Sequence, residues 1–217
     1  MDILELMRKR HSVRQYTDKK IEDEKRKILT DLAKECNQES GLNIQIIFDE
    51  PKCFSSFMSK FTNFKGCENY IAIIGKKNDE NLEEKSGYFG EKIVLKAQEI
   101  GLNTCWVALT HGKSKAIVES SEKQVILIAL GYGKTQGVER KSKKIEDVTD
   151  TKENLPDWYI KGIEAALLAP TAINQQKFSF SLKDDVVKVY SGKGPNTKID
   201  LGIVKYHFEA ASNHKTQ

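Results

Sequence analysis

The sequence predicts an α+β protein in which antiparallel-rich sheets are flanked by helices and the chain carries a pseudo-dimeric internal duplication. Amphipathic helices alternate with short apolar strands. Two of the strands are separated only by the turn residues 183–185. The order helix, strand, strand, helix occurs twice along the chain, which indicates an internal repeat.

The elements of the first half follow from hydrophobic periodicity. A short helix over 2–9 places Ile3 and Met7 on one face, and irregular or extended chain follows it. A second helix would begin at a cap formed by Asp18 and would face inward with Ile28, Leu29, Leu32 and Ala33. The predicted elements of this half are helices over 2–9, 18–36 and 87–100, strands over 43–48 and 70–75, a short helix or ordered loop over 50–68, and apolar segments over 104–109 and 124–130.

The second half repeats this order in a shorter form. A helix over 155–169 would hold Pro156 in its first turn and end at Pro170. A hairpin of strands over 178–182 and 186–190 follows, and a helix over 200–212 is the last element. The inward face of that last helix would hold Ile203, Val204, His207, Phe208 and Ala211, with His207 as a hydrogen-bonded core residue. We therefore divide the chain into a first half, 1–150, and a second half, 151–217.

Bulk properties exclude several classes of protein. The 217 residues are 39% hydrophobic and 30% charged, which is typical of a globular chain. The net charge of +4 is too small to indicate nucleic-acid binding, although it suits a small anionic ligand.

The four cysteines lack close C-x-x-C spacing, which predicts buried, reduced thiols and no metal site. No apolar run approaches the roughly 20 residues of a membrane span, and the first residues lack a signal-peptide core. We therefore expect a cytoplasmic protein.

The first segment with chemical character is Arg10–Arg14, which reads R-H-S-V-R. Two guanidiniums flank a hydroxyl just after a helix. Arginine side chains bind phosphate oxygens in a bidentate manner, and a serine hydroxyl completes such a site. The alternative is a solvated basic helix end, because this spacing also occurs by chance.

The second segment, Ala169–Gln176, reads A-P-T-A-I-N-Q-Q and joins a helix to a strand. Its small side chains allow a flat ring to approach the backbone, and an asparagine offers both a donor and an acceptor. The alternative is an ordinary helix-to-strand connection.

Two further segments complete the set. Gly101–Trp106 (G-L-N-T-C-W) ends a helix and leads to Ala108 and Leu109, whose backbone amides are potentially free. Lys141 and Lys143 lie in a basic tract after the strand that ends near Gly131. The alternative for the tract is a solvated run of charges.

In this order, the four segments resemble the nitroreductase family of flavoproteins. Members of that family begin with a helix leading into R-x-S-x-R or R-x-S-x-K. They also contain A-P-S-x-x-N-x-Q, a G-L-G-T-x-W type turn, and a strand before a basic phosphate-binding segment. The resemblance extends over nearly the whole chain. It implies a nitroreductase-like fold, FMN as cofactor, and NADH or NADPH as co-substrate.

One departure from the family pattern concerns the position of the second motif. In common members A-P-S-x-x-N-x-Q closes the helix after R-x-S-x-R, but 33–40 hold no such sequence here. Common members are dimers that build the FMN site from both subunits. The resemblance therefore implies a single-chain branch with fused, degenerate halves, in which one chain builds one flavin site. Self-association stays open.

The resemblance also implies roles for individual residues. Lys65 would reach the pyrimidine edge of the flavin, and Arg14 would lie near the ribityl chain and the N1–O2 edge. The amides near Ala108 and Leu109 would face N5. The phosphate would be held by Arg10, Ser12, Lys141 and Lys143, with His11 in the same segment, while the second half would supply Pro170, Thr171, Ala172 and Asn174. No side chain need act as nucleophile, because the flavin carries the chemistry.

The predicted activity is electron transfer from NAD(P)H through FMN to a small acceptor such as a nitroaromatic or a quinone. One alternative is a flavin-binding sensor or partner module without turnover. Another is a family enzyme with a different reaction, such as flavin cleavage or reductive dehalogenation. Nucleic-acid binding ranks last, because the basic tract lacks interleaved aromatic residues. A membrane partner is not expected.

Overall fold

The computed structural model describes residues 2–55, 63–150 and 155–217. The chain divides into two compact units. The sheet unit comprises Lys9–Leu82 and Ile93–Val138, and the hairpin unit comprises Met1–Arg8, Glu83–Lys92 and Glu139–Gln217. Two helices, α1 (Ile3–Lys9) and α3 (Leu82–Glu99), contribute residues to both units.

The sheet unit is built on four antiparallel strands in the order β1-β2-β4-β3. Its remaining elements are α2 (Asp23–Ser40), β1 (Gln45–Ile47), β2 (Asn69–Lys76), β3 (Asn103–Val107) and β4 (Glu122–Gly131). Every residue of β2 except Lys76 is buried, and the last six residues of β4 are buried and mostly apolar, as expected for strands that are covered on both faces. One face of the sheet packs on a core cluster that includes Val13, Tyr16 and Cys105. The backbone of the Arg10–Arg14 segment is therefore anchored in this core.

Helix α2 begins later than the sequence predicts. Its first residue is Asp23 rather than Asp18, because Thr17 donates its backbone N–H to Tyr132 O and keeps the chain extended there. Gly41, with φ 73°, ends the helix. The buried face follows the spacing of Leu29, Ala33, Cys36 and Ser40. The prediction that Ile28 faces inward is wrong. Ile28 precedes Leu29 by one residue, which rotates its side chain by about 100° away from the buried face of the helix.

The hairpin unit pairs two helices with a two-stranded sheet. Its elements are a 3₁₀ turn (Ile145–Asp147), α4 (Asp157–Leu167), a second 3₁₀ turn (Ala172–Asn174), β5 (Phe178–Lys183), β6 (Val186–Ser191) and α5 (Thr197–Ser212). Strands β5 and β6 are antiparallel. Asp184 and Asp185 have φ values of 50° and 60°, which matches the tight turn that a two-residue hairpin requires. The predicted hairpin is thus confirmed.

Two glycines allow α3 and α5 to approach closely. A Cβ added at Gly87 would meet the Ile199 carbonyl oxygen, and one added at Gly202 would meet the Glu84 carbonyl oxygen. The sequence predicts that α3 begins at Gly87, but the helix begins at Leu82. Gly87 therefore permits close helix packing rather than breaking the helix.

Other predictions concern order, thiols and the loop over 50–68. An antiparallel strand pair lies between two helices in each half, as predicted, while the duplication and the boundary at 150/151 stay predictions.

Residues 56–62 lie outside the described ranges, and turns at 50–55 and 63–68 bury Cys53, Phe54, Phe64 and Cys67. All four cysteines are free and buried. Within the described ranges, every helix is too short or too polar to cross a membrane.

Candidate active site

The Arg10–Arg14 segment lies along strand β3. Ser12 forms a parallel bridge with Thr104, and the Val13 N–H donates to Thr104 O at 3.0 Å. Val13 is buried, and its carbonyl accepts the Tyr16 hydroxyl at 2.7 Å. Because side chains alternate along an extended chain, burial of Val13 directs Ser12 and Arg14 to the opposite side. The serine and the second arginine of the motif are thus held on a fixed backbone.

Lys65 lies beside this segment. Its backbone N–H donates to Arg14 O at 3.0 Å, and its carbonyl accepts the Tyr16 N–H at 2.8 Å. The side chains of Lys65 and Arg14 are both exposed. The structure therefore brings together two cations that the sequence analysis placed in one site.

The pKa of the Cys105 thiol reflects the positive charge around the Arg10–Arg14 segment. Burial raises the pKa of Cys105, while Arg14, the Ser12 hydroxyl and Arg10 all act to lower it. Arg10 is only 2% exposed, and its guanidinium is always protonated. Positive charge is therefore concentrated at this end of β3, where an anion would be favoured.

The loop after β4 packs against the same segment. Gly137, with φ 80°, lies so close that an added Cβ would be 2.6 Å from the Cβ of His11. Asn103 Oδ1 accepts the Gly133 N–H at 2.9 Å. The absence of a side chain at Gly137 therefore allows this loop to lie directly against His11.

Ala108 and Leu109 follow directly after the last paired residue of β3. Val107 pairs with Leu127, and the next three residues form bends. The side chain of Leu109 is 81% exposed. This stretch leaves the sheet and presents backbone and an apolar side chain at the surface of the sheet unit.

In the hairpin unit, the basic tract is joined to the end of α4. One Arg140 nitrogen, Nη2, donates to Leu167 O at 3.1 Å and to Ala169 O at 2.6 Å. The Ser142 hydroxyl donates to Leu167 O at 2.9 Å. The last carbonyls of a helix lack partners within the helix, so these donors satisfy them. The tract is therefore not a solvated run of charges along its whole length.

The tract is also bonded to the A-P-T-A-I-N-Q-Q segment. Lys141 O accepts Asn174 Nδ2 at 2.9 Å and Gln176 Nε2 at 3.0 Å. The Lys143 N–H donates to Gln176 Oε1 at 2.9 Å, and Lys143 Nζ donates to Gln176 O at 2.8 Å. The structure thus joins three residues that the sequence analysis placed in one site, namely Lys141, Lys143 and Asn174.

The turn at 172–176 has an unusual backbone. Ile173, Asn174 and Gln176 have φ values of 48°, 56° and 44°. A β-branched residue rarely takes positive φ, and Ile173 is in addition 88% exposed. Strained residues of this kind cluster at functional sites. The remaining predicted residues of this half, Pro170 and Thr171, precede the turn, and Thr171 Oγ1 accepts the Gln176 N–H at 3.0 Å.

Asp200 of α5 holds the turn at 172–176 through two hydrogen bonds. Its Oδ1 accepts the Ala172 N–H at 2.9 Å, and its Oδ2 accepts Gln175 Nε2 at 2.7 Å. Burial raises the pKa of Asp200 to about 6, against the lowering effect of these two hydrogen bonds.

The predicted residues form two groups, one in each unit. The sheet unit holds Arg10, His11, Ser12, Arg14, Lys65, Ala108 and Leu109, and the hairpin unit holds Lys141, Lys143, Pro170, Thr171, Ala172 and Asn174. Sequence reasoning missed Arg140, Gln176 and Asp200. Gln176 is the glutamine of the N-x-Q motif and could have been found, whereas Asp200 carries no local signal.

His207 is a core residue, as predicted. It is fully buried, with Nδ1 2.9 Å from Ala165 O and Nε2 2.9 Å from Glu91 Oε1. Both ring nitrogens of His207 are therefore hydrogen-bonded to other helices of the hairpin unit.

Comparison with known proteins identifies the family. A family model described as "Putative TM nitroreductase" matches residues 2–212. A crystal structure of a "putative nitroreductase" of Thermotoga maritima is 24% identical, with 97% of this chain and 83% of that chain covered and a TM-score of 0.70. Curated proteins gave no match.

Two further crystal structures share the fold over a smaller part of this chain. One is a "putative nitroreductase in complex with FMN" of Desulfovibrio desulfuricans, 18% identical, covering 71% of this chain and 98% of that chain with a TM-score of 0.55. The other is a "putative NADH oxidase" of Clostridium acetobutylicum, 20% identical, covering 68% and 99% with a TM-score of 0.53. At this identity the likeness concerns the fold.

Proposed function

Since the chain belongs to the nitroreductase family, which its match over residues 2–212 shows, we propose that it is an FMN-dependent oxidoreductase that passes electrons from NADH or NADPH to a small acceptor. The observation that carries this proposal is the Arg10–Arg14 segment, in which two arginines flank Ser12 in sequence on a backbone that is held by Thr104. The similar proteins named for bound FMN and for NADH support the choice of cofactor and donor.

The donor set of the chain fits FMN. Arginine binds phosphate through a planar fork, and a hydroxyl adds a further donor. Arg10, Ser12, Lys141 and Lys143 would hold the phosphate, and Arg14 would lie nearer the ribityl chain and the ring. Lys143 already gives one hydrogen bond to Gln176 O, but its ammonium has three donors and retains capacity for an anion.

The chain would contribute charge, donors and exclusion of water. FMN, when bound, supplies the acceptance and release of hydride and electrons. A guanidinium at Arg14 and an ammonium at Lys65 would place positive charge where negative charge develops. The amides of Ala108 and Leu109 would donate to the cofactor, and the exposed Ile173 would add an apolar surface.

No protein nucleophile enters the proposal. Burial raises the pKa of Cys105, so the thiol nearest the basic segment stays protonated at neutral pH. The acceptor would be a small, flat electrophile such as a nitroaromatic or a quinone, because the cofactor requires only close approach to transfer electrons.

We further propose that one polypeptide completes one FMN site and that self-association is not needed for binding. The R-x-S-x-R spacing and the A-P-T-A-I-N-Q-Q motif each occur once in the sequence. Two similar chains are covered to 98% and 99% while they align with 71% and 68% of this chain, so part of this chain has no counterpart in them. Under this proposal, that additional sequence would take the place of a partner subunit.

Flavin titration tests the cofactor assignment. The purified protein is titrated with FMN, riboflavin and FAD, and quenching of flavin fluorescence gives each Kd. Each charge-assisted phosphate contact contributes about 1.5–3 kcal/mol, so FMN should bind at least about tenfold more tightly than riboflavin. Equal affinity for FMN and riboflavin, or no binding of FMN, would refute the proposal.

A further inference from the structure

The turn at 172–176 needs an external support. Three of its five residues have positive φ, and one of these, Ile173, is β-branched. Such a conformation persists only where surrounding contacts determine it. The contacts that hold this turn therefore decide whether its side chains keep their positions.

Asp200 provides two of these contacts from the first turn of α5. It is 6% exposed, and its two carboxylate oxygens accept the Ala172 N–H and Gln175 Nε2 at 2.9 and 2.7 Å. Gln175 Nε2 also donates to Pro195 O at 2.8 Å. A buried carboxylate is costly unless it is hydrogen-bonded, so its presence here indicates that the two bonds matter.

The effect of Asp200 extends beyond the turn. Asn174 and Gln176, which flank Gln175, both donate to Lys141 O, and Gln176 is bonded to the backbone and side chain of Lys143. Asp200, the turn and the basic tract thus form one continuous hydrogen-bonded network. Loss of the carboxylate would release the turn and, through it, both lysines.

We propose that Asp200 is a positioning residue for FMN, which holds the turn at 172–176 and thereby fixes Asn174, Lys141 and Lys143 before the cofactor binds. The inference rests on the proposed function, since it concerns the affinity for FMN. Pre-organised groups bind a ligand more tightly because less ordering accompanies binding. The burial that raises the pKa of Asp200 to about 6 is consistent with this position, because perturbed carboxyl groups concentrate at functional sites.

The test compares three variants and one control variant with the wild-type protein. Asp200→Ala removes both acceptors, and Gln175→Ala removes one of the two contacts at a half-buried position, so it serves if Asp200→Ala does not fold. Asp200→Asn retains one acceptor for the Ala172 N–H. Asp157→Ala is the matched control, because it removes an exposed carboxylate from the first turn of α4 in the same unit.

Two readouts are measured, namely hydrogen exchange without flavin and the Kd for FMN. Asp200→Ala should speed exchange at Ala172, Gln176 and Lys143 and weaken FMN binding about tenfold. Asp200→Asn keeps an acceptor for the Ala172 N–H but loses the one for Gln175 Nε2, so its loss of affinity should lie between wild type and Asp200→Ala, and Asp157→Ala should change neither readout. Unchanged FMN affinity in both Asp200→Ala and Gln175→Ala would overturn the inference while the proposed function stands. A wild-type protein that binds no FMN would overturn both.

Discussion

Glu91 and His207 face each other in the hairpin unit, with 2.9 Å between Oε1 and Nε2 and no solvent exposure of either side chain. His207 Nδ1 lies 2.9 Å from Ala165 O, and because a carbonyl only accepts, Nδ1 carries a hydrogen. A proton must then lie between Nε2 and Oε1, since two lone pairs would repel. The pair joins residues of α3, α4 and α5.

Replacement of Glu91 should show how much this pair stabilises the fold. Glu91→Ala leaves His207 Nε2 buried without its hydrogen-bonding partner. Removal of one partner of a buried pair lowers the free energy of unfolding by about 3–5 kcal/mol. Glu91→Gln retains a hydrogen bond to Nε2 and should lower the free energy of unfolding by much less. Urea denaturation measures both. Equal losses for the two variants would contradict this expectation, because glutamine keeps both the side-chain volume and a hydrogen-bonding partner for Nε2.

Arg10→Ala should weaken FMN binding by at least about tenfold, because it removes a fork that binds phosphate. Riboflavin has no phosphate, so its affinity should change little. Arg8→Ala is the control, since it removes an exposed arginine two residues earlier. If Arg10→Ala weakened riboflavin and FMN equally, the residue would act on the fold rather than on the phosphate.

The sequence predicts most of the fold because periodicity depends on neighbouring residues. The hairpin at Asp184 and Asp185 and the buried face of α5 were predictable from turn residues and spacing. Helix starts were less predictable. The start of α2 depends on a bond from Thr17 to Tyr132, which is distant in sequence. Gly87 lies inside α3, where it permits a close approach to Ile199 of α5, which is also distant in sequence.

Some residues of the candidate site could likewise be predicted from the sequence, and others could not. Arg10, Ser12, Arg14 and Asn174 were predictable, since local motifs contain them. Asp200 was not, because it acts through contacts to Ala172 and Gln175 that no sequence spacing reveals. The roles of these residues toward FMN stay predictions until flavin binding is measured.

The stability of the protein should depend on the protonation of Asp200. Burial raises its pKa in the folded state to about 6, above the usual 3.8, so the folded state holds the proton more tightly. The resulting stabilisation is present below about pH 4 and is lost as the pH rises through about 6. Asp200→Asn does not titrate, so its free energy of unfolding relative to wild type should rise over this window, by on the order of 1–3 kcal/mol. Urea denaturation of both proteins from about pH 4 to 8 checks this; a difference that stays flat with pH would contradict it.

Mixing two defective variants should fail to restore flavin binding. Arg10→Ala damages the R-x-S-x-R segment and Asn174→Ala damages the A-P-T-A-I-N-Q-Q segment, and each of these segments occurs once in the chain. If one polypeptide completes one site, no mixture contains an intact site, and co-refolded protein should bind FMN no better than either variant alone. Sites shared between subunits would instead regain normal affinity in part of the hybrid molecules. Clear recovery would therefore show that a partner subunit is required.

Anaerobic reduction of the FMN-loaded protein tests the central claim most directly. The protein is mixed with NADH or with NADPH in the absence of oxygen, and the visible absorbance of the flavin is followed before and after a quinone is added. An FMN-dependent oxidoreductase should lose that absorbance with at least one of the two donors and regain it when the quinone accepts the electrons. Bound FMN that stays oxidised with both donors would contradict the account.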